Sequence, residues 1–319
     1  MKKNFSKISA FVNGTALMLG TALSVVTLTG CTTDPEEVMN LNDQEQLPTA
    51  PVHIQVSNFT MSIDDIPDSQ TRGDDEVPSP NPAENKTVGE LTLAFYNGST
   101  EVLKQTQVKS DHTTYETFGA FTCNLQAGTY TMVVIGRSTV ANDVFSLTSP
   151  TVAAYSSEYA RETYCATQSV TVTTTAALNL SVTLERIVTL LAIYSTDNRP
   201  SNATQIRTIW SAGGKGFNPT TGYATVNTGF TVVAHPSTNV GATIAIGSFA
   251  FLTEDEQSIN ITIEVLDDND NVLFRKSLSN VPFRRNRQTT LSGALFSPSA
   301  TSASFTLQTD WLDPITVNY

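Results

Sequence analysis

Between residues 178 and 185 the chain alternates without a break: Leu178, Leu180, Val182 and Leu184 are apolar, and Asn179, Ser181, Thr183 and Glu185 are polar. Successive side chains of an extended strand point to opposite faces, so a two-residue period fits a strand with one dry face and one wet face. Beyond Arg186 the run Ile187-Val188-Thr189-Leu190-Leu191-Ala192-Ile193 is nearly continuously apolar, which predicts a strand covered on both faces. This change of pattern sets an expected domain boundary near Leu184.

The same period recurs elsewhere. Val52, Ile54 and Val56 alternate with His53 and Gln55, slip at Ser57-Asn58, and resume at Phe59, Met61 and Ile63, which predicts a bulged strand. Further strands are expected at Leu91–Tyr96, Glu101–Val108, Tyr115–Leu125, Thr129–Ile135 and Ser169–Thr175. In the second half they are expected at Gln205–Trp210, Gly229–Ala234, Ala242–Leu252, Ser258–Asp267, Asn271–Leu278, Gln288–Leu295 and Ser304–Thr309. Turns at Asn97-Gly98 and Ala127-Gly128 give the spacing of an antiparallel sandwich. No long helical period is present, and Ser157–Thr163 is the one segment with some helix character. The long stretch from Asp64 to Lys86, rich in Pro, Asp, Ser and Asn, reads as an exposed loop.

The chain opens with a basic segment, Met1-Lys2-Lys3-Asn4-Phe5-Ser6-Lys7, followed by an apolar run from Ala16 to Leu28 that is short for a membrane span. Leu28-Thr29-Gly30-Cys31 closes the run with small residues before a cysteine, the pattern of a lipoprotein signal peptide cleaved before Cys31, whose thiol carries the lipid. The expected organisation is a signal peptide at 1–30, a flexible polar tether at 31–50, and β-sandwich domains at 51–183 and 184–319. Removing Lys2, Lys3 and Lys7 lowers the 18 basic residues to 15 against 30 acids, a mature charge of about −15. Phosphate backbones repel such a body, and no basic stripe offsets the repulsion, so nucleic acid is not an expected partner.

With Cys31 lipidated, Cys123 and Cys165 remain, and an oxidising compartment leaves two readings for them: a disulfide, or two small buried side chains. His53, His112 and His235 lack the spacing of metal ligands, and neither a metal nor a cofactor is expected. Gly213-Gly214-Lys215-Gly216 lacks the first glycine and the following hydroxyl residue of a phosphate loop and reads as a turn. Asp267-Asp268-Asn269-Asp270-Asn271 offers oxygen ligands for calcium but lacks the glycine and distal glutamate of a calcium loop; a hairpin turn is the favoured reading. No catalytic motif is recognisable, and acidic pairs such as Glu36-Glu37 and Asp74-Asp75 fall in tether and loop, so an enzyme is not expected. Tyr96, Tyr115, Trp210, Tyr223 and Trp311 keep a sugar-binding surface open as an alternative.

Several passages in order resemble the fimbrillin superfamily of Bacteroidetes-type bacteria, in particular its anchor and minor-subunit branch. They are Leu28-Thr29-Gly30-Cys31, Val52–Ile63 followed by Thr71-Arg72, Leu125-Gln126-Ala127-Gly128-Thr129-Tyr130, Leu184-Glu185-Arg186-Ile187-Val188, and Val281-Pro282-Phe283-Arg284-Arg285-Asn286-Arg287-Gln288-Thr289. The resemblance implies an all-β chain of two tandem transthyretin-like β-sandwich domains, exported as an outer-membrane lipoprotein to the cell surface. Thr32-Thr33-Asp34-Pro35-Glu36-Glu37, just after the lipid site, is similar to the surface-export signal of such cells and equally suits a solvated linker. By the same resemblance, Arg72 is the candidate protease-processing site and Val52–Ile63 the strand lost from stalk subunits or kept in anchors. A plain loop arginine is the other reading of Arg72. The implied partners are other fimbrial subunits, joined by strand addition, with a glycan or host protein as a further ligand class.

Overall fold

In a computed structural model, the residues described are 48–60, 85, 87–174, 176–236, 240–297 and 315–318. No helix occurs among them. The strands are β1 (Thr49–Thr60), β2 (Glu90–Asn97), β3 (Thr100–Val108), β4 (Ala120–Gln126), β5 (Gly128–Arg137), β6 (Phe145–Ser149), β7 (Val152–Tyr155), β8 (Thr163–Val172) and β9 (Leu178–Arg186). They continue as β10 (Thr189–Ser195), β11 (Gln205–Trp210), β12 (Gly216–Phe217), β13 (Phe230–Ala234), β14 (Ala245–Ala250), β15 (Glu256–Leu266), β16 (Val272–Arg284), β17 (Gln288–Gly293) and β18 (Ile315–Asn318).

The first seven-stranded sheet runs β3-β2-β5-β8-β9-β1-β4 and folds over between β8 and β9, where only Tyr164↔Arg186 and Cys165↔Glu185 pair. Its two halves enclose one dry core, to which β1 contributes Ala50, Val52, Ile54, Val56 and Phe59, β2 Leu91, Leu93 and Phe95, and β4 Phe121, Cys123 and Leu125. A second sandwich sets β14-β10-β17-β18 against β13-β11-β15-β16 around Leu191, Ile206, Trp210, Ile261, Ile263, Phe283 and Leu291. A small sheet, β12-β7-β6, lies in a third apolar cluster with Tyr96, Ile135, Ile187 and Phe251.

The two sandwiches repeat one plan. β1 is antiparallel to β4 and parallel to β9, as β10 is antiparallel to β14 and parallel to β17. β2 lies between β3 and β5 with β8 next, as β11 lies between β13 and β15 with β16 next, all antiparallel. The repeat ends at one point: among the described residues β17 carries a further parallel neighbour, β18, whereas beyond β1 β9 has only its short antiparallel contact with β8.

The apolar patterns translate directly. β9 alternates buried and exposed residues from Val182 onward, whereas β10 is buried at every position except the half-exposed Tyr194. β2 is buried from Leu91 to Tyr96 because one face meets the first core and the other meets the third cluster. The bulge expected at Ser57-Asn58 is present as a register shift between Val56 and Asn58 against β9.

Other expectations need correction. Tyr115–Gly119 is loop, not strand: Asp111 accepts the Thr113 amide, and the Tyr115 hydroxyl donates to the Lys109 carbonyl, so the segment bonds to itself and β4 starts at Ala120. The Ser157–Thr163 segment is not helical: Ala160 forms a bridge to Phe249, and Glu158 accepts the Val233 amide at 3.1 Å. The strand expected at Ser169–Thr175 begins earlier, at Thr163, and ends at Val172. β1 starts at Thr49, inside the segment read as tether. β6 and β7 were not anticipated; each is short. The Ser304–Thr309 strand candidate, and the Asp64–Lys86 loop apart from Asn85, lie outside the described residues.

The free edges of β3 and β4 face each other and are held by side chains. Gln107 Nε2 donates to the Ala120 carbonyl at 2.7 Å, its Oε1 accepts the Gly119 amide at 2.8 Å, and Gln105 Nε2 reaches the Thr122 carbonyl at 3.4 Å. Gln107 is buried, so Gln107→Ala strands two backbone groups away from water and is expected to cost about 1–3 kcal/mol in chemical denaturation. A change below a few tenths of a kcal/mol would mean that solvent replaces the clamp.

Candidate functional site

The strand that the sequence marks as detachable, β1, is the first of the folded body and lies between two neighbours. It pairs with β4 from Thr49↔Gln126 to Gln55↔Ala120, and with β9 from Val52↔Leu178 to Thr60↔Glu185. Val52 and Val56 are fully buried, and Phe59 packs edge-on against Tyr164 with ring centroids 5.1 Å apart. Each such side chain contributes roughly 1.5–3 kcal/mol on burial, so the strand's apolar face alone supplies on the order of 10 kcal/mol of transfer free energy. The wet face is lightly tied: His53 Nδ1 meets Thr122 Oγ1 at 3.2 Å, and Ser181 Oγ donates to Ser57 Oγ at 2.7 Å. The arrangement is a groove between β4 and β9 that one extended segment fills by backbone pairing and five inward side chains.

The other sequence-derived residues fall as follows. Cys31 and Arg72 lie outside the described residues, as does Trp311. Cys123 and Cys165 are both buried and free in this structure, which fits the reading of two small buried side chains. Cys123 faces the first core from β4, whereas Cys165 faces the third cluster, its neighbour Tyr164 having taken the inward position on β8. Alternation along β8 therefore turns the Cys165 thiol to the side of the sheet away from the core that Cys123 faces. Burial pushes the Cys123 thiol up to about 11. Burial also raises Cys165 to about 12, against a smaller opposing hydrogen bond from Thr167. Because the folded state holds both as neutral thiols, their contribution to stability is intact below pH about 9 and is lost as pH rises through the folded values. The native chain starting at residue 32 is accordingly expected to leave both thiols unlabelled by a thiol reagent at pH 8 and to expose both on unfolding. Fast labelling of either in the native state contradicts this burial.

Among the described residues, the aromatics considered for sugar do not assemble into a platform. Tyr96 and Trp210 are buried, Trp210 against Phe283 with centroids 4.6 Å apart; Tyr115 is tied to Lys109, and Tyr223 lies under the Arg285 guanidinium at 5.0 Å. The glycine run at 213–216 is a turn leading into β12; Gly213 has φ +77°, and Lys215 Nζ donates to the Ser157 carbonyl at 2.8 Å. The Asp267–Asn271 segment is the β15–β16 hairpin turn. The Asp267 carboxylate accepts the amides of Asn269 and Asn271, each at 2.9 Å, and these bonds, with the Asn271 side chain, hold its pKa below the usual range. The half-buried Glu90 and Asp143 are bound to Arg137 at 2.8 and 2.7 Å, and the buried Glu162 to Arg186 at 2.7 Å and Glu264 to Arg207 at 2.6 Å and to Arg275.

Sequence reading missed the side chains that cover sheet edges. Glu158 and Tyr159 occupy the Val233 amide and carbonyl on the free side of β13, and Gln105 and Gln107 close β3 against β4. The glutamines carried a faint signal, being polar residues at inward positions of β3, but their targets come from a distant strand.

A family model described as a family of unknown function, DUF6562, matches residues 48–318, which spans β1 to β18. The chain belongs to that family. A comparison with curated proteins found no match. Among solved structures, the family member is similar to a candidate adhesin from Bacteroides ovatus, with 11% identity, 79% of this chain and 88% of the other covered, and a TM-score of 0.46. It is similar to the fimbrial anchor protein Mfa2 from Porphyromonas gingivalis, with 14% identity, 73% and 83% covered, and a TM-score of 0.44. It is also similar to candidate polysaccharide-binding proteins from Bacteroides thetaiotaomicron, with 10% identity, 72% and 80% covered, and a TM-score of 0.44.

Proposed function

We propose that the protein is a structural and adhesion component of the cell surface: a subunit of fimbriae, lipid-anchored through Cys31 to the outer membrane, that anchors or extends the fibre by β-strand complementation with other fimbrial subunits. The observation that carries the reading is the seat of β1, an N-terminal strand paired on both sides and filling a dry groove with Ala50, Val52, Ile54, Val56 and Phe59. Strand complementation needs such a seat: backbone bonds supply affinity, and alternate side chains fix register. The sequence resemblance to fimbrillins supplies the cellular setting. The two sandwiches act as separate domains dividing near Leu184, the body works without catalysis, and the strand is either retained, as in an anchor, or released by cleavage at Arg72, as in a stalk or tip subunit.

The test is reconstitution. A chain of residues 73–319, lacking β1, is mixed with a synthetic peptide of residues 48–63. One-to-one binding with recovery of cooperative unfolding is expected, and a peptide with aspartate in place of Val52 and Val56 is expected not to bind. A shortened chain that folds as stably as the full one and ignores the peptide removes the reading. Intact-mass analysis of protein taken from its native membrane then separates the branches. A lipidated chain that keeps β1 is the expected anchor form, and a chain starting at Gly73 is a stalk or tip subunit. An unlipidated chain starting elsewhere overturns the anchoring.

A further inference from the structure

The second sandwich carries a cleft on the side of β10 and β14 that turns away from its core. On β10, Leu191 and Ile193 enter the core, so Leu190, Ala192 and Tyr194 take the other face. Register sets these three beside Phe249, Gly247 and Ala245 of β14. The middle of the face is therefore floored by Ala192, Gly247 and Ala245, whose side chains end at Cβ or are absent. The segment after β7 lies against the Phe249 end, where Ala160 forms its bridge. The result is a cleft of about 280 Å³ with Tyr194 at one end and Tyr159 and Arg161 at the other. From Leu190 to Tyr194 the floor extends about 13 Å at the rise of a strand. Ligand sites run from roughly 300 to 1,000 Å³, so this one suits a single six-membered ring better than a peptide or several sugar units.

The walls are aromatic and cationic. Tyr159 and Tyr194 are both half-buried. The Tyr159 hydroxyl donates to the Val233 carbonyl, and the Arg161 guanidinium carbon lies 5.1 Å from the centre of the Tyr159 ring, so this wall is held in place from two directions. Arg161 Nε is 3.7 Å from Asp143 Oδ2, an ion pair without a hydrogen bond, and that carboxylate already accepts from Arg137 at 2.7 Å. The charge of Arg161 is thus answered, yet none of its five N–H donors has a hydrogen-bond partner among the described residues. Such a group calls for neutral oxygen acceptors. A second carboxylate would face Asp143, and a chain with 30 acids against 18 bases repels anions as a whole.

We propose that this cleft binds a neutral pyranose, with the C–H face of the sugar ring against Tyr194 and its hydroxyl oxygens accepting from Arg161. The two demands of the site meet in that class of molecule: aromatic faces carry partial negative charge that attracts polarised C–H groups, and a pyranose adds oxygen acceptors around the same ring. The missing side chain at Gly247 makes the room. A Cβ there would stand 3.2 Å from Leu190 Cδ1, and a longer side chain would rise into the cleft. The site gives a ligand to the adhesive part of the function proposed above and rests on that reading for its cellular setting alone. It lies on β10 and β14, apart from the β1 seat.

The experiment titrates the isotopically labelled chain of residues 32–319 with the methyl pyranosides of glucose, galactose and mannose and reads amide chemical shifts. At least one sugar is expected to bind with a Kd of about 1–10 mM, as befits a single ring, and to move the amides of Ala192, Tyr194 and Gly247. Arg161→Gln is expected to weaken that sugar at least about tenfold, the effect of losing a hydrogen bond from a charged donor, with unfolding little changed because Asp143 keeps Arg137. Gly247→Val fills the floor with a residue that strands accept and is expected to abolish binding without shifting thermal unfolding. Should either variant misfold, the unsubstituted chain still decides, because tetrahydropyran, the same ring without hydroxyls, is expected not to bind. The proposal is overturned by the absence of binding up to about 50 mM sugar, by shifts confined to other strands, by tighter binding of methyl glucuronide than of the neutral sugars, or by equal binding of tetrahydropyran. Failure here leaves the β1-seat reading untouched, and failure of the β1 peptide to rebind leaves this site in place.

Discussion

Arg186→Ala is expected to destabilise the protein by about 3–5 kcal/mol, a large share of the 5–15 kcal/mol that holds a typical domain folded. The Arg186 side chain is fully buried at the end of β9, and its Nη2 lies 2.7 Å from Glu162 Oε1. The same guanidinium donates to the Tyr164 hydroxyl at 2.8 Å, and that hydroxyl in turn donates to Glu162 at 2.8 Å. Removing the guanidinium leaves the Glu162 carboxylate buried without its cation and takes away the donor that orients Tyr164, whose ring supports Phe59 of β1. The corner where β8 meets β9 is held by these residues, since Tyr164↔Arg186 is half of the pairing there. Urea unfolding at neutral pH measures the loss. The double variant Arg186→Met with Glu162→Leu is expected to recover much of it, because no buried charge then lacks a partner. A loss under about 1 kcal/mol for Arg186→Ala would show that water or another group takes over the carboxylate.

Phe251→Ala is expected to cost about 3–5 kcal/mol as well, through a cavity rather than a charge. Phe251 is fully buried, 4.5 Å from the Phe217 ring and 6.3 Å from Tyr155, and Phe145 stacks on Phe217 at 6.3 Å. These rings come from β6, β7, β12 and the residue after β14, and they share a cluster with Tyr96 and Ile135 of the first sandwich. The cluster covers the outer face of β2 and β5, so its loss is expected to uncouple the unfolding of the two sandwiches into separate steps. Calorimetry distinguishes one transition from two. A single transition shifted by less than about 2 °C would mean that the aromatic cluster contributes little to the coupling.

Much of the strand content could be read from periodicity because the period follows from backbone geometry alone. The alternation at Leu178–Glu185, the slip at Ser57-Asn58 and the continuous apolar run after Arg186 correspond to β9, the β1 bulge and the buried β10. Errors arose where long-range contacts overrode local pattern. Tyr115–Phe118 looks like strand, yet its rings meet locally at a tilt, Tyr115 and Phe118 with centroids 5.6 Å apart, and the Tyr115 hydroxyl bonds backward to Lys109. Ser157–Arg161 has helix-tolerant residues, but Glu158, Tyr159 and Ala160 are spent on the edges of β13 and β14, strands more than 70 residues away.

The thiol pair illustrates the same limit. Cys123 and Cys165 both sit in strands, as the sequence suggests, but which face each occupies depends on register, and a one-residue step separates a core position from the opposite side of the sheet. By itself the sequence determined that the chain is built of strands and which faces of β1 and β9 are dry, because these follow from residue type and a two-residue period. Only the tertiary structure decided that β1 lies between β4 and β9, that two sandwiches share one plan, and that β17 pairs with β18 whereas β9 meets β8 over only two residues. Those facts depend on which strands pair across long stretches of chain, and pairing is chosen by the fit of whole faces and by side chains that close an edge, whose targets lie on distant strands.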